Sequence, residues 1–184
     1  MTHDIIWLDE ADSTNNEAKR QIKGLSDMSV IAAVRQTAGR GQRNNTWLSE
    51  PGMNLTFSIV LKYGEGVVSS ISPADQVLIS DATASSIIDF LSKQGIEARI
   101  KLPNDIYVGD RKICGILIEH TLCGQALVHT IIGVGLNVNQ TVFDADLPNP
   151  TSMALETGSS SYDLHALLEE LLAVFDLRLG SLIL

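Results

Sequence analysis

Cysteine is scarce in this chain. Cys114 and Cys123 are the two among 184 residues, too few for a disulfide framework, and no Cys/His spacing matches a zinc site. The four histidines, His3, His120, His129 and His165, are scattered, a distribution that suits surface or packing roles better than metal ligation. Positive charge is also short: 13 Lys plus Arg stand against 22 Asp plus Glu, a formal net charge of −9. That balance argues against a general nucleic-acid footprint. No apolar run approaches the ~18–20 residues of a membrane span. The start, Met-Thr-His-Asp, lacks the basic segment and apolar core of a signal peptide. The expectation is a cytoplasmic protein with neither nucleic-acid nor membrane partners. Familiar catalytic signatures are absent as well. There is no Gly-x-x-x-x-Gly-Lys-Ser/Thr phosphate loop and no Gly-x-Ser-x-Gly nucleophile elbow. Gly133-Val134-Gly135 lacks the third glycine and following helix of a dinucleotide fingerprint. What the chain does have is 45% hydrophobic residues, enough for one compact domain over residues 1–184.

Apolar patterning supplies the elements. Residues 4–8, 30–36, 53–62, 96–102, 106–108, 112–119 and 126–134 read as strands. Gly109-Asp110 and Cys123-Gly124 are hairpin turns. A helix starts near Ser13-Thr14-Asn15, with Thr14-x-x-Glu17 fitting a capping box. A second starts at Ser72-Pro73-Ala74-Asp75, after a flexible Gly64-Glu65-Gly66 connection. It carries Ala74, Val77, Leu78, Ala84, Ile87, Ile88 and Leu91 as its buried face and ends at Gly95. Residues 144–161 form a loop-like tract. A last helix spans 162–179, capped by Ser160 or Ser161 at its start and Gly180 at its end. The expected class is α+β: a mixed, largely antiparallel sheet with helices packed on it.

The least generic stretch is Gln36-Thr37-Ala38-Gly39-Arg40-Gly41-Gln42-Arg43-Asn44-Asn45-Thr46-Trp47, hung between two strands. Glycine permits close backbone approach to a ligand, and arginine offers a planar charged fork for phosphate or carboxylate. Such a loop is either an anion binder or a solvated surface turn. Three more polar clusters end or interrupt apolar strands: 13–15, 101–105 with 112–115, and 135–137. Strand ends meet at a sheet edge, so these clusters can line one pocket. Their cations (Arg40, Arg43, Lys101, Lys112), amides and one acid, Asp105, suit charge-stabilised chemistry on a phosphate better than hydrolysis by a nucleophile.

These residues carry a resemblance. From about residue 6 to 140 the chain resembles the catalytic domain of biotin protein ligases. Ser13-Thr14-Asn15 is similar to that family's Ser-Thr-Asn motif, and Gln36-x-x-Gly39-Arg40-Gly41-Gln42-Arg43-x-Asn45-x-Trp47 to its glycine-arginine loop. Lys101-x-Pro103-Asn104-Asp105 resembles its Lys-Trp-Pro-Asn-Asp motif. Arg111-Lys112-Ile113-Cys114-Gly115-Ile116-Leu117 resembles its lysine-bearing hairpin, and Gly133-x-Gly135-x-Asn137 its strand end. Five motifs in order are far more specific than one. The resemblance implies the class II synthetase-like biotin/lipoate ligase fold. It implies ATP-dependent formation of biotinyl-5′-AMP and transfer of biotin to a lysine of a biotin carboxyl carrier protein, with Mg2+ accompanying ATP. By the same resemblance Ser13, Thr14, Asn15, Gln36, Gly39, Arg40, Gly41, Gln42, Lys112 and Gly115 would hold biotin. Arg43, Trp47, Asn104, Asp105 and Asn137 would hold the adenylate. Arg40, Lys101 and Lys112 would be the catalytic charges, and no metal would be bound by the protein alone. The loop is expected to be mobile when empty, and Arg40→Ala to weaken adenylate retention more than Arg43→Ala.

The chain departs from the family at several positions. Leu102 replaces a tryptophan, and Asn44 stands where glycine is usual. Gln42 and Asn45 follow one branch of the family rather than another. Neither a DNA-binding region before the domain nor a β-barrel after it is expected. Other readings are a lipoate or octanoate ligase of the same fold, and a truncated protein that binds biotin or its adenylate without catalysis. Homodimerisation is left open.

Overall fold

The computed structural model describes residues 3–63, 76–103, 105–124, 126–159 and 161–183. Seven strands form one sheet: β1 (Ile5–Ala11), β2 (Val30–Gln36), β3 (Leu55–Lys62), β4 (Arg99–Lys101), β5 (Asp105–Val108), β6 (Arg111–Cys123) and β7 (Ala126–Leu136). Their order across the sheet is β1-β2-β3-β7-β6-β5-β4. β1 and β2 run parallel, joined by a crossover through helix α1 (Thr14–Gln21). Every other neighbouring pair is antiparallel. The expected mixed, largely antiparallel sheet is therefore observed.

The sheet's two faces differ, and the difference positions the site. Side chains alternate along a strand. Leu55, Phe57, Ile59 and Leu61 of β3 and Ile132, Val134 and Leu136 of β7 all point one way and are buried. On that face lie α2 (Gln76–Lys93) and α4 (Leu164–Ile183), which pack on each other and complete the main core. Phe57 meets Phe175 edge to face at 6.5 Å. The other face carries Ile31, Val60 and Ile131 under α1, in a smaller cluster with Ala18 and Leu25. Further along the same strands it carries Thr56, Ser58, Gly133 and Gly135 instead of large side chains. A sheet face without bulk leaves room above it.

Several local expectations change. The capping box does not form: Ser13 is the N-cap and makes no side-chain cap bond. The Thr14 amide is satisfied by Gln36 Oε1 at 2.8 Å, a side chain from β2. Glu17 instead accepts from Arg20 and Gln21. The start of α2 at residues 72–75, the connection at 64–66 and Ala74 fall outside the described residues. Its buried face is Ile79, Thr83, Ala84, Ser86, Ile87, Phe90 and Leu91, whereas Val77 and Leu78 are exposed. Gly95 ends the helix as expected, with φ at 78° and the Ile96 amide bonded back to Leu91. β4 keeps only three residues before a cis Leu102–Pro103 bond. A five-residue helix, α3 (Met153–Thr157), interrupts the 144–161 tract. The cap of α4 is Asp163, whose carboxylate accepts from His165 and Ala166 amides, while Gly180 lies inside the helix. Ser160 lies outside the described residues.

Candidate active site

The glycine-arginine stretch folds as a short hairpin over the bulk-free sheet face. Its start is tied to β1 by the Thr37 and Ala38 amides, bonded to Ala11 and Asp12 carbonyls at 2.9 and 2.8 Å. Trp47 N donates to Gly39 O at 2.9 Å and Gly41 N to Asn45 O at 2.7 Å. Arg40 and Thr46 bridge between these bonds. Glycine is required at the neck: a Cβ on Gly39 would stand 2.3 Å from the Trp47 carbonyl oxygen. The left-handed residue of the loop is Arg43, at φ 53°. The Asn44 side chain lies outside the described set.

Below the loop is a cavity of about 210 Å³. Ser13, Thr14, Asn15 and Gln36 line one side; Arg40 to Arg43, Asn45, Thr46 and Trp47 roof it; Asp105, Lys112, Gly115, Gly133 and Gly135 complete it. The two sheet glycines of β7 have separate uses. A Cβ on Gly133 would fall 2.2 Å from Asn15 Oδ1, and one on Gly135 would fall 2.3 Å from Cε2 of the Trp47 ring. The indole also lies against Gly115, whose Cβ would be 3.0 Å from Cζ3. Trp47 is thus seated on a glycine floor.

Beyond the indole lies a second cavity of about 310 Å³, bounded by Asn45, Thr46, Trp47, Leu48, Lys112, Asn137, Phe143, Leu147, Pro148 and Pro150. Trp47 and Lys112 border both spaces. The Lys112 ammonium sits 5.7 Å from the centroid of the Trp47 ring and pairs with Asp105 at 2.8 Å. Two buried polar atoms here have no hydrogen-bond partner among the described residues, Trp47 Nε1 and Asn137 Oδ1. Asn137 is 4% exposed and its amide nitrogen is already held by Thr151 O at 2.9 Å. A buried oxygen left unpaired is costly, and a ligand with an N–H in the second cavity would satisfy it.

The wall of the first cavity is a connected polar network. Ser58 Oγ stands 2.8 Å from Thr14 Oγ1 and 2.6 Å from Asn15 Oδ1. Asn15 Nδ2 donates to Leu117 O and to Glu119 Oε2 at 3.2 and 2.9 Å. Glu119 also accepts from Lys19 Nζ at 2.7 Å and from both terminal nitrogens of Arg40 at 2.9 and 3.1 Å. Burial pushes the Glu119 carboxyl up, but the bonds from Arg40, Lys19 and Asn15 together outweigh it and bring its pKa to about 2. Burial, helped by the Asp105 carboxylate, drives the Cys114 thiol up, away from the reactive thiolate, despite Lys112 nearby.

Most of the predicted site residues thus meet in one place. Gly39 shapes the loop's neck rather than lining the first cavity. Lys101 is not brought to either cavity; its ammonium lies over the Tyr107 ring, 4.5 Å from the centroid. Asn104 lies outside the described residues, and neighbouring Leu102 is 82% exposed. Sequence reading missed Ser58, Glu119 and the apolar Phe143, Leu147, Pro148 and Pro150. Ser58 and Thr56 carried a signal: two hydroxyls in step on one face of an otherwise apolar strand.

Comparison with known proteins follows the same residues. The sequence model described as the biotin/lipoate A/B protein ligase family matches residues 7–137. The chain belongs to this family. It is 31% identical over 162 residues to the bifunctional ligase/repressor BirA of Salmonella typhimurium, covering 88% of this chain and 49% of that one. It is 31% identical to the biotin–[acetyl-CoA-carboxylase] ligase of Paracoccus denitrificans, over 82% of this chain and 63% of that one. The chain therefore spans about half the length of its BirA relative. Among solved structures, the biotin protein ligase of Aquifex aeolicus in complex with biotin and ATP superposes with a TM-score of 0.79, at 27% identity, over 96% of this chain and 70% of that one.

Proposed function

We propose that this family member acts as the catalytic domain of an ATP-dependent biotin–protein ligase, over residues 1–184 and in the cytoplasm. The observation that carries the reading is the pair of cavities sharing Trp47 and Lys112. Two substrates that must react with each other need adjacent sites with a common border. The Aquifex aeolicus relative is described in complex with biotin and ATP, and those two ligands suit the two spaces. Biotin would occupy the polar cavity, its ureido group meeting hydroxyls and amides of Ser13, Thr14 and Gln36. The nucleotide would occupy the second, with its base amine donating to Asn137 Oδ1.

At the border the biotin carboxylate oxygen attacks the α-phosphorus, and the bond to the departing pyrophosphate breaks. Lys112 stands there to offset negative charge, with Asp105 fixing its ammonium. In the second step the amine of an acceptor lysine on a carrier protein attacks the anhydride carbonyl, and AMP leaves. No protein nucleophile takes part, so positioning and charge supply the acceleration. The described residues contain no group of three or more His, Cys, Asp or Glu suited to a metal. Mg2+ would therefore arrive with the nucleotide and neutralise its phosphates. Filling the two spaces would restrain the loop further and keep water from the anhydride.

The test is incubation with biotin, ATP, Mg2+ and a biotin carrier domain, read by mass spectrometry. A biotinyl increment on the carrier is expected. No adduct on the carrier and no biotinyl-adenylate on the enzyme would overturn the reading. Lipoate in place of biotin separates the related ligase specificity.

A further inference from the structure

Arg40 was expected to be one of the catalytic charges, yet its guanidinium is engaged within the protein. Both terminal nitrogens grip the Glu119 carboxylate, at 2.9 and 3.1 Å, and Nη1 also donates to Asn16 Oδ1 at 2.9 Å. The pairing is two-pronged, the strong geometry for arginine and carboxylate. It ties three parts of the molecule together. Arg40 belongs to the loop, Asn16 to α1, and Glu119 to β6. The same carboxylate also orients Asn15, at 2.9 Å, and through it Ser58. Arg40 is bridged to Thr46, next to Trp47. Fixing Arg40 therefore fixes the hairpin that lays the indole on Gly115 and Gly135.

We propose that Glu119 is a positioning residue that latches the glycine-arginine loop over the first cavity through Arg40. It lines neither cavity; it holds the roof by Arg40 and the wall by Asn15. Lys19, 2.7 Å from Oε1, holds the carboxylate from the α1 side. A consequence is a division of labour between the loop arginines. Arg40 is committed to the latch, while Arg43 lines the first cavity and makes no hydrogen bond or ion pair among the described residues. Arg43 is then the loop cation free to meet phosphate.

The proposal rests on the ligase reading only for its first readout, retention of biotinyl-adenylate. E119Q keeps shape and one acceptor but removes the charge; Arg40→Lys keeps the charge but cannot fork. In a chase with unlabelled biotin, adenylate should leave each single variant about tenfold faster than wild type, and the double variant no faster than either. Wild-type release from Arg40→Lys, or a double-variant effect equal to the product of the singles, would overturn the latch. Arg40 is 38% exposed in its side chain, so Arg40→Lys decides the matter from the loop side if E119Q does not fold. If wild type forms no adenylate, the ligase reading has failed, and trypsin cleavage after Arg43 in the free protein tests the latch by itself. Faster cleavage in E119Q than in wild type supports it; equal cleavage overturns it.

Discussion

At the scale of the residue, Gly135 has no room for a side chain. The indole above it occupies the space of a Cβ, with ring atoms 2.3 and 2.6 Å from that point. Gly135→Ala should therefore displace Trp47 and reduce ATP–pyrophosphate exchange in the presence of biotin at least about tenfold, with the far-ultraviolet circular dichroism unchanged. Glu119 sets an acid limit. Its carboxyl titrates ordinarily near 4.5 and is brought to about 2 in the folded protein, where Arg40, Lys19 and Asn15 outweigh the effect of burial. A group held down in this way stabilises the fold fully above its ordinary value. That stabilisation is lost as pH falls through 4.5 toward about 2. Asp12 is held down by Arg20 and Asn16, and Glu17 by Gln21 and Arg20, so they act in the same direction. Thermal melts should show a first loss as pH falls through 6.5, because burial lowers the His120 and His129 pKa values, and a steeper one below about pH 5 from these carboxylates, the latter shallower in E119Q. Arg43→Ala should raise the KM for ATP about tenfold, a larger part than the sequence reading gave this residue, since Arg40 is occupied by Glu119.

At the scale of the element, the sheet separates stability from function by strand parity. One face of β3 and β7 is closed by α2 and α4, and Phe175 at 0% exposure lies at its centre against Phe57. Phe175→Ala should cost about 3–5 kcal/mol, measured by denaturant unfolding, because the cavity left behind is deep in the core. The seven strands, the hairpin connections and the Gly95 cap were legible in the sequence, since alternation and turn chemistry are local, though 96–102 shortened to Arg99–Lys101 and 112–119 lengthened to Arg111–Cys123. The capping box was not borne out for a tertiary reason. Gln36 arrives from β2 and takes the amide that a local cap would have taken. The face of α2 was legible at Ala84, Ile87 and Leu91 but misassigned in its first turn. Val77 and Leu78 are apolar, but the helix is rotated so that Ile79, Thr83 and Ser86 face inward, the latter two satisfying their hydroxyls on backbone carbonyls one turn back.

At the scale of the whole molecule, net charge bears on encounter with the proposed carrier. A formal charge of −9 repels an acidic carrier over distances that salt screens. Raising ionic strength from about 0.01 to 0.15 M should therefore increase kcat/KM for transfer to an acidic carrier domain and leave adenylate formation nearly unchanged. A decrease for transfer would mean that local opposite charges govern docking.

The sequence by itself determined the identity of the chemistry-bearing residues. The motifs at 13–15, 36–47, 112–115 and 133–137 are runs of residue types whose meaning is local: glycine for close approach, arginine for anions, amides for polar rings. It also determined the strands, because apolar alternation is a property of consecutive residues. Only the tertiary structure decided which partners those residues take. Glu119 lies 79 residues from Arg40 and 104 from Asn15, and nothing local marks a single glutamate in β6 as the hub between them. Whether Trp47 divides two cavities, and whether Arg40 is free or latched, depends on how the loop lands on Gly115 and Gly135. That landing is set by sheet register and by the absence of side chains on one face.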